Sequence, residues 1–199
     1  MLNAECVHQA VAVLRDGGVV AYPTDTLYGL AVDPRSAAAV AKLFAVKQRE
    51  IGHAIPLIAA NEHQAELAGT FTPLARRLAR LFWPGPLSIV VASTDQVCAE
   101  VKAADGSIAV RVPDSDIARA LAEALGFCIT ATSANLSGAT PTASAAVVRA
   151  TLAGRVDYVL DAGDAPGGPP STIVDVREPV PRLVRAGAVP WSRVLESLE

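Results

Sequence analysis

No run of apolar residues in this chain approaches the roughly 18 needed to cross a bilayer. The opening Met-Leu-Asn-Ala-Glu-Cys has neither the basic start nor the apolar core of a secretory signal. Cysteine is scarce: Cys6, Cys98 and Cys128 lie far apart and are odd in number. That pattern excludes a disulfide framework and reads as reduced thiols, so a cytoplasmic location without membrane contact is expected. The three histidines, His8, His53 and His63, have no ligand spacing with one another or with the cysteines, so no structural metal is expected. Lysine is also rare, 3 residues against 14 arginines, and the net charge is −3. A pI near 5.6 argues against a surface coated in positive charge for nucleic acid, and leaves room only for a local basic groove. There is no Walker loop, no G-x-G-x-x-G opening a helix after a strand, and no G-x-S-x-G elbow. If a nucleotide is bound, it is held by some other device.

What the chain does have is apolar mass. Hydrophobic residues make up 51% and charged residues 19% of its 199 residues, which excludes intrinsic disorder. A chain of this size buries a core without staples, and no linker, repeat or charge block divides it, so a single domain over residues 1–199 is expected. Helical periodicity appears at residues 7–14, 35–46, 72–82, 114–125 and 144–150, with a last helix from Pro190. Thr72-Pro73 is a cap followed by Pro at the first helical position, Asp114 reads as the cap of the fourth helix, and Gly126 as its stop. Short apolar or extended runs lie at 19–22, 55–59, 87–92, 108–112, 127–131, 157–160, 172–176 and 182–185. The class is therefore α/β. Some links are too short for a crossover helix, which predicts a twisted sheet of mixed parallel and antiparallel strands flanked by helices.

Five segments are polar where strands should be closing. Tyr22-Pro23-Thr24-Asp25-Thr26-Leu27-Tyr28-Gly29-Leu30 follows a buried strand at its C-terminal end, where open α/β sheets bind ligands; Pro, Asp and Thr are also ordinary turn residues. Lys47-Gln48-Arg49 follows the second helix. If the chain is extended there, both cations face one way and suit a polyphosphate, although basic residues also favour helix C-termini. Ala131-Thr132-Ser133-Ala134-Asn135-Leu136-Ser137-Gly138 has small hydroxyl and amide side chains that leave room for backbone N–H groups to approach a phosphate, or that serve simply as a polar loop or helix cap. Gly167-Gly168-Pro169-Pro170-Ser171-Thr172 is a second small-residue loop, and Arg182-Leu183-Val184-Arg185 offers two cations, either of which reaches a site or solvent.

In order and spacing these segments resemble the YrdC-like family of threonylcarbamoyl-AMP synthases. The likeness also takes in Trp83-Pro84-Gly85-Pro86-Leu87, Arg111-Val112-Pro113 and Ser171-Thr172-Ile173-Val174-Asp175, and extends from about Gly17 to Gly187. The chain is similar to the short form of the family. Glu50 and His53 depart from its pattern, and His53 stands where a second cation is usual.

The resemblance implies a nucleotidyltransferase. It would join L-threonine, bicarbonate and ATP, with Mg²⁺ carried by ATP, into threonylcarbamoyl-AMP and pyrophosphate, for other proteins to use in modifying tRNA. It implies Lys47 and Arg49 as catalytic cations that also bind ATP. His53, Ser133, Asn135 and Arg185 are the further ATP contacts, and Thr26, Arg111, Ala131 and Ser171 hold threonine. The absence of a nucleophile motif agrees with a reaction that needs positioning and charge neutralisation. Two other readings stay open at the level of sequence: an RNA-binding protein of the same fold, in direct contact with tRNA, and a relative that uses carbamoyl phosphate.

Overall fold

A computed structural model of the protein describes residues 4–48 and 53–198. Helix α1, Ala4–Arg15, buries Val7, Ala10, Val11 and Leu14, one stripe at helical spacing. The chain then turns into strand β1, Val20–Pro23, which pairs antiparallel with β2, Tyr28–Ala31. The Pro-Thr-Asp-Thr segment is therefore the tip of a hairpin. Its second half, expected as polar loop, is a buried strand.

Helix α2, Ala37–Lys47, starts at Ser36, whose hydroxyl accepts the amide hydrogen of Ala39. Strand β3, Leu57–Ile58, is followed by α3, Glu62–Ala68, and β4, Gly69–Thr70. Neither α3 nor β4 is legible in the sequence, because two turns and two residues are too short to show a period. Thr72 caps α4, Pro73–Phe82, as read; such a cap contributes about 1 kcal/mol. Strand β5, Leu87–Ser93, and strand β6, Ser107–Arg111, follow, with a short 3₁₀ turn, Ala99–Val101, between them. Helix α5, Asp116–Leu125, is capped by Ser115 and not by Asp114, since Ser115 Oγ accepts from Ala118 N. Gly126 closes it in the left-handed conformation that favours glycine (φ 82°). The chain continues through β7, Ile129–Thr130; β8, Thr132–Ser133; α6, Ala145–Thr151; β9, Tyr158–Val159; β10, Thr172–Asp175; β11, Arg182–Arg185; and α7, Trp191–Glu196.

The strand pairing is mixed, and it is divided between two sheets. One has the order β8-β2-β1-β9; the other has β11-β10-β5-β6-β3-β7, with β4 added to β5. The pairs β1–β9, β5–β10 and β3–β6 are parallel. Residues 129–133 serve both sheets: β7 pairs with β3, and after Ala131 β8 pairs with β2. Thr130 fastens the crossing. Its Oγ1 accepts from Val32 N at 2.9 Å, and its carbonyl accepts from Tyr22 OH at 3.1 Å.

Alternation along β1 sorts the core into two parts. Val19 and Ala21 face a large cluster with Leu30, Leu43, Leu57, Leu78, Ile89 and Val110. Val20 and Tyr22 face a smaller one built on α1 and α5, with Leu14, Leu121 and Ile129. Each large apolar side chain buried this way stabilises the fold by about 1.5–3 kcal/mol. No helix among the described residues is long and apolar enough to cross a membrane.

Candidate active site

A cleft of about 430 Å³ opens where the two sheets meet. Thr26, Arg111, Ala131, Ser133, Ser171 and Arg185, all singled out in the sequence, line it together. They come from the hairpin tip, the end of β6, the β7–β8 crossing, the start of β10 and the end of β11. Chain separation as large as 159 residues between Thr26 and Arg185 is thus closed by sheet pairing.

Arg111 is 5% exposed and ends β6. Its Nη1 donates to both oxygens of Asp25, at 2.6 and 2.8 Å, and Asp114 N donates to Asp25 Oδ2 at 3.2 Å. The hairpin tip thereby supplies a countercharge that holds the guanidinium at the cleft wall. Thr24 Oγ1 donates to Leu27 O at 2.7 Å and lies 3.2 Å from Thr26 Oγ1, so the tip is closed on itself.

Arg185 approaches from the other side. Its Nε and Nη2 donate to Ser171 O at 3.1 and 2.8 Å, and Nη2 also donates to Ser171 Oγ at 3.0 Å. Burial, and then the like charge of Arg111, pull its guanidinium below the ordinary arginine value. Two cations sharing one partly desolvated cleft favour an anionic ligand. Arg182, the alternative cation of that strand, turns away to Asp175, 3.0 Å distant. Gly187 makes the approach of β11 possible: a Cβ there would lie 2.3 Å from Pro170 O and 2.5 Å from Ser171 C.

Lys47 sits elsewhere than the sequence implied. It is the last residue of α2, and Gln48 beyond it is left-handed (φ 52°), so the extended geometry expected after Val46 is not formed there. The ammonium is buried and donates to Ser133 O at 2.5 Å, Asn135 O at 2.9 Å and Asn135 Oδ1 at 3.2 Å. Asn135 is also buried. Its Oδ1 accepts from Ser133 Oγ, and its Nδ2 donates to Leu136 O and Ala139 O. Lys47 and Asn135 therefore stand behind Ser133, shaping the cleft wall. His53 is exposed next to Ala54, which lines the cleft. Arg49 lies outside the described residues.

Sequence reasoning missed two residues here. Asp25 reads in the sequence as an ordinary turn residue, and nothing local marks it as the partner of Arg111. Ser88, 1% exposed, lies in β5 and borders the cleft; a lone serine in the apolar run 87–91 was the signal available. A second open groove of about 540 Å³ on α4 is lined by Arg76, Arg77 and Arg80. Arg76 pairs with Glu66 and Arg77 donates to Ser197 O, so two of its three cations are already engaged.

The Sua5/YciO/YrdC family, described as "telomere recombination", matches residues 12–187. The chain belongs to this family. It is 39% identical over 166 residues to a threonylcarbamoyl-AMP synthase of Thiobacillus denitrificans, covering 83% of this chain and 88% of that one. Its fold superposes on P. abyssi Sua5 complexed with L-threonine with a TM-score of 0.94 and 31% identity, over all of this chain and 58% of the other. E. coli YciO follows with a TM-score of 0.83 and 27% identity, covering 96% and 93%. Within the family, the chain spans little more than half the length of Sua5, but most of the Thiobacillus relative and of YciO.

Proposed function

We propose that this chain is an enzyme that makes threonylcarbamoyl-AMP and pyrophosphate from L-threonine, bicarbonate and ATP, as a step in tRNA modification. The observation that carries the reading is the convergence of Thr26, Arg111, Ala131, Ser133, Ser171 and Arg185 on one cleft with two arginines and a ring of hydroxyls. Relatives bearing the threonylcarbamoyl-AMP synthase name support it.

The reaction is one of assembly. The threonine amine attacks bicarbonate-derived carbon dioxide and gives a carbamate. A carbamate oxygen then attacks the α-phosphate in line, and pyrophosphate leaves with the bond to that phosphorus. Nothing here requires a covalent enzyme intermediate. The protein's task is to hold three reactants in register and to neutralise charge.

Arg111 receives the threonine carboxylate, with Thr26, Ser171 and the Ala131 backbone around it. Arg185, Ser133 and the loop braced by Lys47 and Asn135 face the phosphates, Arg49 supplies a further cation, and His53 a further contact to ATP. Magnesium enters with ATP. The cleft's own donors are hydroxyls and guanidinium groups, which suit phosphate oxygens; the ion would be held by ATP and water and not by this chain's side chains. The product passes to proteins that transfer the threonylcarbamoyl group to tRNA, in the cytoplasm.

The test is pyrophosphate release with magnesium and ATP, omitting threonine and bicarbonate in turn. Release that needs both, with an AMP adduct of the threonylcarbamoyl mass, is the expected result. Release with carbamoyl phosphate alone, or salt-dependent RNA binding with no threonine-dependent turnover, overturns it.

A further inference from the structure

Ser88 stands in the buried, largely apolar strand β5. Its neighbours Leu87, Ile89, Val90 and Val91 are all buried, and it is itself 1% exposed. A polar side chain so placed needs a hydrogen-bond partner, and a nearby backbone carbonyl would serve. Here the partner is another side chain of the cleft. The parallel register sets Ile173 opposite Ser88, which brings Ser171 alongside, and the two Oγ atoms lie 3.0 Å apart.

Arg185 makes this contact directional. A guanidinium only donates, and Nη2 gives a hydrogen to Ser171 Oγ at 3.0 Å. A hydroxyl has one proton and two lone pairs, so Arg185 occupies one lone pair of Ser171. We propose that Ser88 is a positioning residue: its hydroxyl donates to the second lone pair of Ser171 Oγ, which obliges Ser171 to present its own proton to the carboxylate of the bound amino acid. The opposite polarity, with Ser171 donating back to Ser88, would leave Ser171 facing an anion with no hydrogen to give. The cleft's two guanidinium groups make an anion the ligand to expect, and a donor is what it needs.

This rests on the reading of the cleft as a threonine site. Replacing Ser88 removes the constraint on Ser171 without removing Ser171 or either arginine. S88A is expected to weaken L-threonine binding, followed by calorimetry, and to raise the threonine KM, each about tenfold, the scale of one charge-assisted hydrogen bond. The KM for ATP and kcat should stay within about twofold. S88T keeps the hydroxyl and should restore threonine binding to within about threefold of wild type. Unchanged threonine affinity in S88A overturns the role of Ser88 and leaves the proposed function standing. So does an equal loss towards both substrates with a lowered Tm, which marks a merely structural serine. A wild-type protein that binds no threonine overturns both.

Discussion

Asp25 holds Arg111 across the base of the cleft, both carboxylate oxygens meeting a single guanidinium nitrogen. Neither side chain is more than 8% exposed. A buried pair of this kind is a weak source of net stability, but removing one member leaves the other charged and unpaired. D25N is therefore expected to destabilise the fold by about 3–5 kcal/mol, read from the shift of its urea midpoint.

Arg111 itself is predicted to act through geometry as well as charge. R111K keeps the cation and loses the planar fork that matches a carboxylate. The threonine KM should rise about tenfold or more, with the ATP KM little changed. An unchanged threonine dependence in steady-state assays would remove Arg111 from the threonine site.

Lys47 places three bonds on the 133–135 segment from a compact ammonium group. K47M should speed hydrogen exchange of the loop amides near Ser137 and reduce pyrophosphate release about 100-fold, the scale of misplacing a reacting group when its support is removed. K47R should fail to restore it, because a flat guanidinium cannot reach the same three acceptors.

Gly187 sets how close β11 comes to the Ser171 backbone. G187A drives a methyl into Pro170 O and Ser171 C. Overpacking of this kind costs about 1–3 kcal/mol. The displacement falls between Ser171, just before β10, and Arg185 at the end of β11, so activity should fall further than the change in Tm alone would suggest.

Substrate choice follows from the cleft lining. Serine lacks only the methyl of threonine and should lose about 10–200-fold in kcat/KM. Valine lacks the hydroxyl and, in a cleft lined by the hydroxyls of Thr24, Thr26 and Thr132, should be rejected more strongly. Competition assays with the three amino acids give the order directly.

Acid stability is expected to depend on Arg177. Its guanidinium bridges Asp175 and Asp105. Hydrogen bonds from Arg177 hold Asp175 below the ordinary carboxylate range; those from Ser107, and then Arg177, bring Asp105 to about 2. A depressed folded value means the contribution is complete above the unfolded pKa of about 4 and disappears as pH falls towards 2. Wild-type Tm should drop across that window, and R177A should show a flatter profile from a lower starting point.

Much of the fold is legible in the sequence alone. The caps Thr72 and Gly126 and the stripe of α1 are local signals, and local chemistry decides them. The cap of α5 was misplaced by one residue because Asp114 and Ser115 are both competent; the amide of Asp114 is drawn to Asp25, a residue 89 positions away. Helix α3 was invisible because its two turns carry no readable period.

The site divides in the same way. Thr26, Arg111, Ser133, Ser171 and Arg185 are marked by the order and spacing of the motifs that carry the family resemblance; taken singly, a threonine is an ordinary turn residue and an arginine can face solvent. What they touch was not decided locally. That Arg185 rather than Arg182 enters the cleft follows from the pairing of β11 with β10. That Lys47 turns inward to the 133–135 segment follows from where α2 ends, beside the loop whose Ser137 N donates to Lys47 O. Ser88 acquires a role only when a parallel ladder sets it beside Ser171. Short-range propensity selects the elements and the residue types at their ends; only the long-range register of two sheets selects which polar side chains meet, since hydrogen bonds form at 3 Å and the sequence does not measure that distance.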